Sequence, residues 1–457
     1  MEETEIMQPS RRTFLKGAGA AVGTVVLGRA AGPRSLDALA ASKTPVTVWA
    51  SPMVYGVSAE APVLDPYLNS HIAAALPDVQ FTSDHGPGPY ANMESKYLVQ
   101  AKTGTPDVIE GLLENVVAYV RAGDIVPIDS QFKAWSDYSQ FVPSAINAVQ
   151  YNGQTLGIPY NTNARGMLYR KSILKKLGLK PPTTWDELVT AAEHITAKLS
   201  GTTGMAGVMF CTSLTDPRGA QEFLGLFFQT NQHLFKLDST GKKWMVNTTP
   251  AELTKVLELY YNLYFGSSSS AAVGNQSGAA GISSYVQDPG YCTGLWAMVP
   301  MGPWLIARQA QGALQKQILT EDTGVISMPV GPGGKPASYL EVKPWMLNKY
   351  SKNPDKAWEV MQFLSSKATI NEWVTIEGFT PPRKDVLNSP VVQKNWWARS
   401  FAELLPQGIA LDPLNWAPVY TAILTQMQAV VFGQSKPAAA AAALHTALSG
   451  FASQGLL

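Results

Sequence analysis

Catalysis needs a nucleophile, a base or a bound metal, and this chain of 457 residues holds few side chains in patterns that supply one. His71, His85, His194, His233 and His445 show no metal-ligand spacing, and Cys211 and Cys292 lie far apart in the chain. There is no G-x-S-x-G elbow, no H-E-x-x-H and no P-loop. Asp84-His85 before "GPGP" reads as a turn device rather than an acid–base pair, and Tyr260-Tyr261 on a helical pattern reads as packing rather than iron ligation. Glu110, Glu341 and Glu377 each stand where an extended stretch meets a loop. Paired carboxylates would suit glycoside chemistry at a fixed separation, but spacing along a chain gives no such distance. Expectations are therefore of no catalytic residue, no metal and no cofactor.

The opening "SRRTFLKGAGAAVG" carries a different message. Arg11 and Arg12 precede Phe14, Leu15 and Lys16, and no charge follows from Gly17 to Leu27. Glycines at 17, 19 and 23 weaken a buried helix, and the apolar run is too short to span a bilayer. A dinucleotide fingerprint is excluded, since no strand precedes the glycines and their last spacing is wrong. The pattern looks like a twin-arginine signal, with Ala38-Leu39-Ala40 as a cleavage site, so residues 1–40 are set apart from the fold. Such a signal implies a translocase as partner and export of a folded protein. No cysteine stands near the site to take a lipid anchor, and no later apolar run reaches membrane-spanning length.

Without residues 1–40 the 35 Lys and Arg fall to 30 and the 34 Asp and Glu to 30, a balance near zero. That disfavours nucleic acid and a polybasic membrane dock. The remaining length calls for more than one core. Cys211 and Cys292 would meet an oxidising compartment, and whether they pair stays open.

Elements able to position a site follow from local pattern. "PVTVWAS", "DVQFTSD" and "PDVIEG" read as strands with helices between, the order of a layered α/β lobe with a mostly parallel sheet. "YANMESKYLVQAKTG" reads as a helix ended by Gly104, and Asn152-Gly153 as a tight turn. In "PPTTWDELVTAAEHITAKL", Thr184 is expected to cap and Glu187 to complete a capping box. In "NPDKAWEVMQFLSS", Asn353 is expected to cap, with Pro354 at the first helical position. Gly266–Gly281, rich in Ser, Ala and Gly, reads as a surface loop, and the last forty residues as two helices.

Taken in order, "PDVIEG", "GDIVPID", "YNGQTLGIPYNTNARGMLYRKSILKKLGL", "PPTTWDEL", "AMVPMGPWLI" and "NPDKAWEVMQFL" resemble the extracellular solute-binding proteins of ABC importers, the sugar-binding type that includes the maltodextrin-binding protein. The resemblance runs from about Thr47 to the end. It implies an α/β, two-lobed periplasmic-binding-protein fold (type II) with ligand trapped by hinge closure. Lobe one would comprise 43–158 plus 340–378 and lobe two 162–336 plus 380–457, with "GIPYN" and "SYLEVKPW" as crossings. Partners implied are a small-molecule ligand of the sugar class and the importer's permease subunits, with the protein itself a monomer outside the cytoplasm.

Site residues follow from the same resemblance. Sugars show apolar C–H faces edged by hydroxyls, so flat aromatics and hydrogen-bonding side chains suit them. Trp304 in "MGPW" and Trp416 in "LNWAPVY" match positions where an aromatic stacks on ligand. Trp49, Ser51 and Glu110 would form the opposite wall, Tyr160, Asn161 and Trp345 the crossings, and Gly302 a close approach of backbone to ligand. Glu341 departs from the glycines of many relatives; it is expected to meet Lys343 or to bind ligand hydroxyls or an amine. Alternatives are a glycerophosphodiester or polyamine in the same fold, a secreted carbohydrate-active enzyme, and a sensory or scaffold protein.

Overall fold

The computed structural model describes residues 43–50, 61–84, 90–231, 233–266, 281–309 and 312–457. The signal stretch, Ser51, His85 and most of the Gly266–Gly281 loop lie outside them. In chain order the strands are β1 (Thr44–Trp49), β2 (Val79–Asp84), β3 (Val108–Glu110), β4 (Gln150–Tyr151), β5 (Gln154–Thr155) and β6 (Ile158–Ala164). There follow β7 (Gly166–Arg170), β8 (Phe235–Leu237), β9 (Trp244–Val246), β10 (Met298–Met301), β11 (Thr323–Ile326), β12 (Ser338–Leu347) and β13 (Gly408–Ile409).

Two sheets organise the chain from Lys43 on. The larger runs β13-β12-β3-β1-β2, with β6 added against β12; β1 pairs in parallel with β2 and β3. The smaller runs β10-β7-β11, antiparallel throughout. β6 belongs to the first sheet and β7 to the second, and only Arg165 separates them. The chain therefore passes between sheets at Arg165.

β6 and β12 lie antiparallel side by side, Leu340 opposite Ala164 and Glu341 opposite Asn163. A third segment joins them: Thr162 N donates to the Thr380 carbonyl at 2.8 Å and Thr380 N donates to Asn163 Oδ1 at 3.2 Å. All seven residues of β6 are buried, and nine of the ten in β12, as expected of strands covered on both faces. Pro344 has no N–H for the ladder, and the register shifts between Lys343 and Pro344.

Helices cover the sheets through apolar stripes. Leu188, Ala191, Ala192 and Ile195 are buried in the helix Trp185–Thr203, and Ala357, Val360, Met361 and Leu364 in Pro354–Leu364. Gly104 and Gly153 take the left-handed conformation expected after a helix and in a tight turn. Two capping details differ from expectation. Thr184 Oγ1 accepts from Glu187 N, but the Glu187 carboxylate accepts from Thr183 N and Oγ1 (both 2.7 Å), so the reciprocal bond closes one residue earlier. The reciprocal box forms instead at Thr249 and Glu252. Asn353 occupies the cap position without capping, because its amide donates to the Pro45 carbonyl at 3.0 Å and ties the helix to β1. Cys211 and Cys292 are buried free thiols, each held protonated by burial. No helix among the described residues is long and apolar enough to cross a membrane.

Candidate functional site

Strand alternation puts Glu341 and Lys343 on one face of β12, and Asn163 with Arg165 on the matching face of β6 and its exit. The register then brings Glu341 directly opposite Asn163. These four side chains line a cavity of about 430 Å³ at the passage between the two sheets. Glu114, in the first turn of the helix Leu113–Ala122, and Phe379, just after Gly378, line it from elements beside the larger sheet. Trp304, after β10, lines it too, as does the first turn of Pro217–Thr230 with Arg218 and Gln221 three apart. Ser284 and Tyr285 come from the start of Ser284–Cys292.

Within this wall the polar groups are ordered by charge. Arg165 Nη1 meets Glu341 Oε2 at 3.3 Å, and Arg165 Nη2 donates to Gln221 Oε1 at 2.9 Å. Gln221 Nε2 in turn donates to Glu114 Oε1 at 3.1 Å. Lys343 Nζ stands 3.4 Å from Glu110 and 3.9 Å from Glu341. Arg218 Nη1 lies 2.7 Å from Asp288 Oδ1. Asp216 caps the same helix by accepting from Arg218 N, and also accepts from Ser284 N and Oγ. The Trp304 ring is flanked by two guanidinium groups, Arg165 at 4.2 Å and Arg218 at 5.1 Å from its centroid, a cation–π arrangement worth more when desolvated, as here.

Of the carboxyls at and just behind the wall, two are pushed up by burial. Glu222, behind Arg218, accepts from Cys211 N and Gln287 Nε2 and rises to about 8, with Arg218 opposing the shift. Glu114 is half-buried as a residue, yet its Oε2 is closed off from water, and burial with the nearby Glu341 charge lifts it to about 7. An unfolded carboxyl releases its proton near 4.5. Between that pH and the raised values the folded state binds protons the unfolded chain has lost, so these two groups make stability fall as pH rises. The urea midpoint is expected to be lower at pH 8 than at pH 5.5, and Glu114→Gln is expected to reduce that difference.

Of the residues singled out in the sequence, Trp304 and Glu341 stand on the cavity wall. Glu110 and Tyr160 stand one layer behind: Tyr160 OH donates to Glu110 Oε1 at 2.6 Å, and Glu110 in turn holds Lys343. Asn161 lies opposite Lys343 in the ladder and accepts from Asn163. Trp345 is not on the wall; it stacks on Tyr160, with centroids 4.5 Å apart, and packs against Trp373. Trp49 is buried with Tyr97 and Tyr119 under the Lys96 ammonium, and Trp416 is buried with its Nε1 donating to the Asp412 carbonyl. Gly302 serves Trp304 rather than a ligand, since a Cβ there would fall 1.8 Å from the indole ring. Ser51 lies outside the described residues.

Glu114, Arg165, Arg218 and Gln221 were not singled out from sequence, and Lys343 only as an expected partner of Glu341. Signals for three of them existed. Arg165 ends the "YNTNAR" alternation two residues past Asn163, and "DPRGAQ" places Arg218 and Gln221 near the capped start of a helix rich in Phe and Leu.

The sequence pattern of the twin-arginine translocation pathway signal matches residues 8–28, so the chain carries an export signal of that class. A Brucella abortus protein described as a binding protein is 24% identical over 328 residues, 70% of this chain and 74% of that one. An arabinooligosaccharide-binding protein of Halalkalibacterium halodurans is 24% identical over 323 residues, 67% of this chain and 65% of that one. Maltose-bound MalE3 of T. maritima superposes with a TM-score of 0.74 at 20% identity, covering 89% of this chain and 100% of that one. The fold is thus the two-lobed α/β fold of that maltose-bound protein. Residues 78–399, most of the chain, match the pattern of the bacterial extracellular solute-binding proteins, and the chain belongs to that family.

Proposed function

We propose that the protein captures a carbohydrate outside the cytoplasm, closes over it and hands it to the permease of an ABC importer without altering it. The observation that carries this reading is the cavity at the passage between the sheets, where an indole ring stands among carboxylate, amide and guanidinium groups. Its volume of about 430 Å³ falls in the usual range of small-molecule sites, about 300–1,000 Å³. The name of the Halalkalibacterium relative points to the same ligand class. Lobe one takes 43–158 plus 340–378 and lobe two 162–336 plus 380–457. β6, β12 and the segment at Thr380 form the crossings, where a few dihedral changes can turn one lobe against the other. The protein acts as a monomer.

A glycerophosphodiester is the weaker reading. Arg165, Arg218 and Lys343, the cations lining the cavity among the described residues, each already face a carboxylate, leaving no spare positive charge among those residues for phosphate.

Tryptophan fluorescence of the exported form, titrated with mono- and oligosaccharides, glycerophosphodiesters and spermidine, tests the function. Saturation by a saccharide at micromolar concentration, about −8 kcal/mol, is the expected result. A response confined to a phosphodiester or to spermidine would move the assignment, and release of shorter sugars from an oligosaccharide would make the protein an enzyme.

A further inference from the structure

Charge around the cavity is unbalanced in a way a neutral sugar does not correct. Among the described residues the lining holds three cations, Arg165, Arg218 and Lys343, and three carboxyls, Glu114, Asp216 and Glu341. The layer behind adds the carboxylates Glu110 on Lys343 and Asp288 on Arg218, while Glu222, raised to about 8, is largely uncharged at neutral pH. Arg165 is engaged by Glu341. Asp216 has its oxygens filled by two backbone N–H groups and a hydroxyl. Glu114 is different. The residue lines the cavity and its Oε1 accepts from Gln221, while Oε2 is enclosed without a hydrogen-bond partner. Across the same bracket the buried Arg165 Nε donates none.

Enclosed polar atoms are costly to leave without partners, and these two ask for different things. Arg165 Nε needs an acceptor, which any sugar hydroxyl supplies. Glu114, raised to about 7, can meet a hydroxyl as a neutral acid, but once ionised it needs a donor, and beside further carboxylates a charged donor gains most. Resting on the carbohydrate reading, we propose that the ligand is a sugar bearing a basic nitrogen, whose ammonium group is received by the Glu114 carboxylate as its Oε2 turns toward the cavity, while a neighbouring hydroxyl accepts from the Arg165 guanidinium.

The protonation of Glu114 makes this measurable. Facing it are Glu341 on β12, Arg165 after β6, Gln221 from the helix Pro217–Thr230, Glu94 on the helix Tyr90–Gln100, and the phenols of Tyr339 and Tyr420. Burial holds the carboxyl at about 7 in the absence of ligand, so much of it is protonated at pH 6.5. An arriving ammonium favours the ionised form and expels that proton, whereas a neutral sugar does not.

Isothermal titration at pH 6.5, in two buffers of different ionisation enthalpy, would compare pairs matched in everything but the nitrogen. Suitable pairs are glucose with glucosamine, galactose with galactosamine, and cellotriose with the β-1,4 glucosamine trimer. In the pair that binds, the amine is expected to win by about tenfold and to release protons. Glu114→Gln, which keeps the bond from Gln221, is expected to bring that ratio close to one and to abolish proton release while the urea midpoint at pH 6.5 shows a folded protein. Equal or tighter binding of the neutral member, without proton release, overturns the amine and leaves the carbohydrate reading standing. Binding by no saccharide of either kind overturns both.

Discussion

Trp304→Ala is expected to weaken saccharide binding by about a hundredfold, roughly 3 kcal/mol, the largest loss from any single wall residue. The indole does two jobs that alanine cannot. In the proposed function it gives a sugar ring apolar surface to pack on, and it supports the guanidinium groups of Arg165 and Arg218 over its ring. With the ring gone, Arg165 loses the surface that keeps it pointed at Glu341 and Gln221. Folding stability is expected to fall as well, by about 3 kcal/mol, because Trp304 is only 4% exposed. Trp304→Phe separates the two effects: it restores an aromatic face and should bind within about tenfold of the parent. Calorimetric titration of both variants, beside their urea curves, checks this. Parent-like affinity in a folded Trp304→Ala would remove the ring from the ligand wall.

Why Trp304 was visible in the sequence and its neighbours were not has a physical answer. "MGPW" carried the family resemblance that pointed to Trp304, and Gly302, read there as a backbone approach to ligand, makes room for the ring instead. The strands and the Thr184 cap were legible from local pattern: alternation, helical spacing and turn residues act over a few positions. Even so, Asn353 shows the limit. Its side chain had a local use as a cap and took a distant one on the Pro45 carbonyl, a choice set by tertiary packing.

The wall's electrostatics are distant by nature. Arg165 meets Glu341 across 176 positions and Gln221 meets Glu114 across 107, and no window of sequence contains both partners. Tryptophan position is equally hard to read. Trp49, Trp345 and Trp416 share with Trp304 a place near a strand or helix end, yet they are buried among other aromatics. Large rings fill cores as readily as they line clefts, and only the packing around each decides. Glu341 was conspicuous because a carboxylate in a run as apolar as "SYLEVKPW" must find a partner; it found two, Arg165 and Lys343.

Lys343 carries the second large effect. Its ammonium, 3% exposed, stands between Glu110, fully buried, and Glu341. Lys343→Met keeps the length of the side chain and removes the charge, so Glu110 keeps the hydrogen bond from Tyr160 but loses its cation. Taking one partner from a buried ion pair costs about 3–5 kcal/mol, and that loss in urea unfolding free energy at neutral pH is the expected result. The position of the pair adds a second consequence. Lys343 lies on β12 and Glu110 ends β3, while Glu341 lies opposite Asn163 of β6, so the pairs tie β12 to β3 beside the strand that leads into the smaller sheet. Loss of the cation should loosen this crossing and weaken ligand binding along with folding. Lys343→Met combined with Glu110→Gln distinguishes an unpaired charge from lost packing: if the cause is the stranded carboxylate, the double variant recovers most of the stability. If instead the double variant is as unstable as the sum of its parts, Lys343 contributes mainly through its aliphatic stem, and the crossing is held by packing around Tyr160 and Trp345 rather than by charge.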